Sequence, residues 1–363
     1  MDNYSFQTVP VLHFGEGCLA LLAEQVAALG GTRPLIITDR GIVAAGLIAP
    51  VESALAEAGR SAFVFDAVVA DPPESIVVEA IARAKEVAAD IVIGLGGGSS
   101  LDTAKVVAAL AIEGAQPLAE IYGVGLLAKR GLPTILIPTT SGTGSEVTAI
   151  SILTTGKTTK AGIVSPHLFA DAALLDPVLT TGLPADVTAA TGIDAMVHAI
   201  EAYTGRHAKN PISDMLAVEA LRLLTANIET ACSNGSDMGA REAMLRGSML
   251  AGQAFANSPV GAIHALAYPL GGIYHIPHGL SNALVMPHVM RFNVPAAADL
   301  YAQLADALDI PQGSSNSTEA RAESFIDYLE DLAVTVKAPR KLREIGIAED
   351  AVDELAEAAM LQT

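Results

Sequence analysis

The stretch DIVIGLGGGSSLDTAKVVAALA, residues 90–111, decides the fold. It runs from an apolar strand through a glycine-rich turn at Gly94 to Ser99 into a helix. Glycines let backbone N–H groups approach an anion closely, and a helix that starts near Ser100 turns its positive end toward that anion. A diphosphate fits such a turn. The pattern GLGGGS gives GxGxxS where the dinucleotide motif has a third glycine, and no GK[ST] follows, so it is not a P-loop. The motif alone leaves two readings open, a nucleotide site or a tight strand-to-helix turn without ligand. Asp102, in the first turn, serves either as a helix cap or as an acceptor for a nicotinamide amide.

Outward from this stretch, short β-rich runs alternate with amphipathic helical patterns: PLIITD (34–39), AFVFDAVV (62–69) and TILIPTT (134–140), with SIVVEAIARAKEVAA between two of them. Such alternation predicts a parallel sheet covered on both faces. After Pro184 the apolar residues keep a helical period through VTAATGIDAMVHAIEAY, SDMLAVEALRLLTANIETA and AREAMLRGSMLAGQAFA. The chain therefore reads as an α/β dinucleotide-binding domain over 1–183 and an all-α domain over 184–363. Loops are rich in Gly, Pro, Asn and Ser, and no fixed-period repeat is present. The last segment stops within a helical pattern without a capping signal, as expected of a chain that continues further.

Composition narrows the function. At 363 residues and 51% hydrophobic content the chain can build two cores, and 21 Lys plus Arg against 40 Asp plus Glu give a net charge of −19. That balance argues against nucleic acid or anionic membrane as the main partner and favours a small neutral or cationic one. Cys18 and Cys232 form no CxxC pair, which fits a reducing compartment, and the N-terminus carries no secretory signal. Without a run of about 18 apolar residues, no membrane helix is expected, and the location read from the chain is cytoplasmic.

Four side chains form a candidate metal site. Asp194 and His198 lie four apart, so a helix presents them on one face, and His264 and His278 lie in GAIHALAYPLGGIYHIPHG. Taken singly each has an ordinary explanation, since acid and histidine four apart also form plain helix pairs. Taken together, one carboxylate and three imidazoles suit a borderline ion such as Fe(II), Zn(II), Mn(II) or Co(II). Two more features belong to the nucleotide side. The polar turn PTTSGTGSEVT (138–148) could close over a cofactor, and Asp39, ending its strand, either starts the next turn or binds ribose hydroxyls and repels a 2′-phosphate, favouring NAD over NADP.

With GGGSSLDTAK, PTTSGTGSEVT, LLDPVLTTGLP, GIDAMVH and HALAYPLGGIYHIPHG in this order, the chain resembles the iron-containing (group III) alcohol dehydrogenase family from about residue 4 onward. The resemblance implies a dehydroquinate synthase-like fold and a reversible, metal-dependent conversion of alcohol to aldehyde or ketone with NAD(H) or NADP(H). It implies Asp194, His198, His264 and His278 as ligands of Fe(II), with Zn(II) satisfying the same donors. For the cofactor it implies Gly97, Gly98 and Ser99 at the diphosphate, Asp102 near the nicotinamide amide and Asp39 at the adenosine ribose. Thr139, Thr140, Thr143, Lys160 and Leu179 match groove-lining positions, and Asp71 matches a polar position near the same cofactor. A homo-oligomer, commonly a dimer, is also implied.

The chain departs from the family at one position of interest. Many members carry a histidine four residues after the third ligand, where this chain has Tyr268. A phenol of reference pKa about 10 then stands where an imidazole would titrate, and Tyr268 and His275 become the candidates for proton handling. Related enzymes of the same fold are the neighbouring alternatives: glycerol dehydrogenase, and maleylacetate reductase, whose dicarboxylate would call for converging basic residues not evident here. A non-catalytic nucleotide and metal sensor is the alternative of a different class.

Overall fold

The computed structural model describes residues 3–156, 158–311 and 317–361. Its chain divides into two compact units, an α/β unit of Thr8–Thr140 with Gly144–Gly182, and a helical unit from Leu183 onward. Residues 3–7 and Ser141–Thr143 join the helical unit although they precede it in sequence. Local contacts explain why. The Gln7 amide donates to Asn257 Oδ1 at 2.7 Å and its carbonyl accepts from Asn257 Nδ2 at 2.9 Å. Gly142 lies so close to Thr191 that a Cβ there would come within 2.7 Å of the threonine Cβ.

The α/β unit contains strands β1 (Val11–Phe14), β2 (Pro34–Asp39), β3 (Phe63–Val68), β4 (Ile91–Gly96), β5 (Gly123–Val124), β6 (Thr134–Pro138), β7 (Ile150–Thr155), β8 (Thr159–Val164) and β9 (Ala172–Leu175). Its main sheet is parallel throughout, in the order β1-β9-β6-β4-β2-β3. The central strands β4 and β6 are buried along their whole length, which is why they read as unbroken apolar runs. Ile36 pairs with Ile93, and Ile93 with Ile135. These isoleucines join Val26, Val51, Leu55 and Leu174 in one core. The covering helices are α1 (Leu22–Ala28), α2 (Arg40–Ala44), α3 (Ile48–Glu57), α4 (Glu74–Glu86) and α5 (Gly98–Leu110). A second sheet, β5-β8-β7, contains an antiparallel β7–β8 hairpin that the βα alternation did not anticipate.

The glycine turn leaves the C-terminal end of β4, between β2 and β6, where open parallel sheets bind ligands. Two of its glycines have distinct tasks. Gly94 packs so tightly that a Cβ would approach Leu136 at 2.7 Å and Ala104 at 2.9 Å. Gly96 has φ 143°, which other residues rarely adopt.

The helical unit contains α6 (Ala185–Thr204), α7 (Pro211–Ser233), α8 (Met238–Asn257), α9 (Ala262–Tyr274), α10 (His278–Ala307), α11 (Thr318–Thr335) and α12 (Ala351–Ala359). Helix α6 packs against α7, α8 and α10, so most of its circumference is buried. The buried Arg241 of α8 donates to Thr188 Oγ1 at 2.9 Å, to the Leu183 carbonyl at 3.0 Å and to the Gly235 carbonyl at 2.8 Å, fixing the start of α6. Helix α12 closes over α9 through Leu270, Ala351 and Leu355. Gln362 and Thr363, where the sequence pattern breaks off, lie outside the described residues. Among the described residues no helix is long and apolar enough to cross a membrane.

Candidate active site

Asp194 and His198 sit one turn apart on α6, buried at 2% and 4% exposure. His264 lies in the first turn of α9, and His278 is the first residue of α10. The short link between those helices turns at His275, whose backbone takes the left-handed conformation (φ 55°). Gly279 lets α10 reach α6: a Cβ there would fall 2.2 Å from the Ala190 carbonyl oxygen. The result is a convergence of four donor atoms, all within 4.8 Å of one another. His264 Nε2 is 3.0 Å from His198 Nε2, and His278 Nε2 is 3.5 Å from Asp194 Oδ1.

The electrostatics favour a cation at this point. Burial opposes the charge on Asp194, but His198, His278, His264 and a hydrogen bond from Asn282 outweigh it and hold the carboxyl below its ordinary range. Burial pushes the His198 imidazole down to about 3, against the pull of Asp194, so it is neutral and offers a lone pair. Its ring stacks on Phe255 at 4.3 Å between centroids. Three imidazole nitrogens and one carboxylate oxygen at this spacing match the donor set of a borderline divalent ion. His278 alone keeps a partly open face, its side chain 34% exposed.

Two polar residues complete the cluster without having been singled out by the sequence reading. Glu201 Oε2 lies 2.6 Å from His264 Nδ1, and Asn282 Nδ2 donates to Asp194 Oδ1 at 2.6 Å. Both were visible as spacing. Glu201 follows Asp194 by seven and His198 by three, and Asn282 follows His278 by four, so each shares a helical face with a proposed ligand. Phe255, on a different helix, had no such signal. Tyr268 stacks on His278 with centroids 5.8 Å apart and meets the edge of His264 at 6.2 Å. His275 is exposed, and its amide closes α9 by donating to the Gly271 carbonyl.

In the α/β unit, Gly97 is the N-cap of α5 with no side chain capping it, and Gly98 and Ser99 begin the helix. The first-turn amides thus have no capping side chain at the N-cap position. Asp39 caps α2 by accepting from the Ile42 amide at 3.0 Å, and its other oxygen lies 3.4 Å from Ser100 Oγ, beside the glycine turn. Thr140 lies next to Gly97, and the Thr139 hydroxyl is buried without a hydrogen-bond partner among the described residues. Asp71 and Lys160, far apart in sequence, form an ion pair at 2.5 Å, with Lys160 also donating to Thr154 Oγ1 at 3.0 Å. Thr143 belongs to the helical unit.

Two residues of the expected cofactor set have internal tasks. The Asp102 carboxylate accepts from Ser145 Oγ at 2.5 Å and from the Ile152 amide at 2.8 Å, with Lys105 Nζ 3.4 Å away. It ties α5 to β7. Leu179 is buried with Leu19 and Leu174 in the sheet core.

A parallel α/β unit with an uncapped glycine turn, followed by a helical unit holding a buried Asp-His-His-His cluster, defines the class of dinucleotide-linked, metal-dependent oxidoreductases. The sequence pattern described as iron-containing alcohol dehydrogenase matches residues 10–177, and that of the Fe-containing alcohol dehydrogenase family, C-terminal, matches 188–363. The chain belongs to the iron-containing alcohol dehydrogenase family. It is 44% identical over 358 residues to long-chain-alcohol dehydrogenase 1 of Geobacillus thermodenitrificans, covering 97% of this chain and 89% of that one. The crystal structure of a 1,3-propanediol oxidoreductase superposes with a TM-score of 0.95 at 35% identity, over 99% of this chain and 94% of the other. The sulfoacetaldehyde reductase of Bifidobacterium kashiwanohense, solved in complex with NAD+, gives 0.86 at 27% identity, over 99% and 93%.

Proposed function

We propose that the chain interconverts a small alcohol and its aldehyde or ketone with NAD and a divalent metal, Fe(II) before Zn(II). The convergence of Asp194, His198, His264 and His278 carries this reading. When bound, the ion supplies Lewis acidity toward the substrate oxygen, and the nicotinamide supplies the hydride acceptor. The chain's own residues do the rest. The four donors hold the ion, and Glu201 and Asn282 hold two of the donors. The amides of Gly97, Gly98 and Ser99 bind the diphosphate, as helix N-termini do. Asp39 accepts from ribose hydroxyls and repels a 2′-phosphate, the reason for NAD over NADP. Tyr268, stacked on the partly open His278, is the candidate for proton handling.

The relatives frame the substrate class: one is named for long-chain alcohols, one for 1,3-propanediol and one for sulfoacetaldehyde. An alcohol or aldehyde is the common denominator, and its chain length is what the substrate panel must vary. The test is NADH formation across a panel of alcohols, with each cofactor, before and after chelation. Metal-dependent turnover with NAD is expected. A preference for NADP would contradict the role given to Asp39, and no turnover by protein with metal and cofactor bound would favour a non-catalytic sensor.

A further inference from the structure

Glu201 is a buried carboxylate on α6 whose hydrogen bonds go to the start of α9. Its Oε2 faces His264 Nδ1 at 2.6 Å, and its Oε1 accepts from the Ile263 amide at 2.7 Å. Gly261 makes the approach close, since a Cβ there would sit 3.3 Å from Oε1. A charged group taken out of water is tolerated only when it is hydrogen-bonded in this way. The carboxylate accepts and cannot donate, which assigns the ring hydrogen of His264 to Nδ1. Nε2 is left as a lone pair, 3.0 Å from His198 Nε2 and among the other donors.

We propose that Glu201 is the positioning residue of the metal centre: it sets both the tautomer and the orientation of His264, and it does so by locking the start of α9 to α6. The inference rests on the reading of the four donors as a metal site. It adds a residue that touches neither metal nor substrate yet sets how well the ion is held. Carboxylates that orient ligating histidines typically contribute about 10- to 100-fold in metal affinity. Glu201→Gln separates this role from simple helix capping. A glutamine has one acceptor oxygen, so if that oxygen keeps the Ile263 amide, its NH2 faces His264 Nδ1 and drives the ring hydrogen to Nε2, where it blocks the lone pair.

The experiment titrates metal-free wild type and Glu201→Gln with Co(II) in the absence of oxygen. Ligand-field absorption and competition with a chelator are followed, and circular dichroism checks the fold. The wild type should bind Co(II) saturably, and E201Q should bind it roughly 10- to 100-fold more weakly with a changed visible spectrum while keeping its helical content. Equal affinity and an identical spectrum overturn the positioning role and leave the metal site intact. Absence of saturable Co(II) binding in the wild type overturns the site itself. Should E201Q not fold, histidine 1H–15N correlation on the wild type decides the matter: an Nδ1–H tautomer at His264 supports the role, and an Nε2–H tautomer overturns it.

Discussion

Gly279→Ala probes the packing on which the site depends. The added Cβ would lie 2.2 Å from the Ala190 oxygen, 2.7 Å from its carbonyl carbon and 3.2 Å from Asp194 Cβ, where ordinary contact begins at 3.4 Å. The obstacle is backbone and cannot rotate away, so α10 must retreat from α6 by roughly 1 Å, and overpacking of this kind costs about 1–3 kcal/mol. A helical alanine recovers up to about 1 kcal/mol over glycine. With the clash near its upper bound, the net loss is about 2 kcal/mol, or roughly 4–8 °C in the melting of a unit of this size. The retreat also carries His278, the preceding residue, away from Asp194, so Co(II) affinity should fall with stability. Calorimetry and Co(II) titration of the same preparations test both. A variant that melts at or above the wild-type temperature and binds Co(II) equally well would refute the close approach of α10 to α6.

Two further outcomes are expected. Burial opposes the charge of Asp90, but the Thr32 hydroxyl at 2.5 Å and the Arg33 and Thr32 amides at 2.8 and 2.9 Å outweigh it and lower its pKa. A carboxyl lowered in the folded state stabilises the fold above its unfolded pKa of about 3.9 and loses that contribution as pH falls through the lower folded value. Asp90→Asn should therefore melt below wild type at pH 7, with the gap closing under about pH 4; a gap independent of pH would contradict this. Tyr268→Phe keeps the ring that stacks on His278 and removes the hydroxyl. Co(II) affinity should change little while turnover falls by about 100-fold or more if the phenol handles the proton, whereas unchanged turnover would assign it to packing alone.

Much of the fold and half of the site were legible because they are local. The strand, turn and helix over 90–111, and the face shared by Asp194 and His198, follow from side-chain periods within one element. The same period would have led from His198 to Glu201 and from His278 to Asn282, yet a glutamate or asparagine on a helix is commonplace until its partner is known. Asp102 shows the limit. Its place in the first turn of α5 suits a cofactor contact, and folding also brings Ser145, from the turn before β7, and Ile152, on β7, to its oxygens, partners that no local period announces. Leu179 likewise gains core neighbours, Leu19 and Leu174, that no local period announces. Lys160 and Asp71 were found separately, and folding made them a pair.

The central claim is that Asp194, His198, His264 and His278 hold the metal on which alcohol oxidation depends. Stepwise addition of Fe(II), under anaerobic conditions, to metal-free protein with saturating NAD and a reactive alcohol tests it most directly. The rate of NADH formation should rise with added metal and break at a single equivalent per chain, and His264→Ala should show neither the rise nor the break. A full rate in the metal-free protein, or an undiminished titration in His264→Ala, would contradict the account.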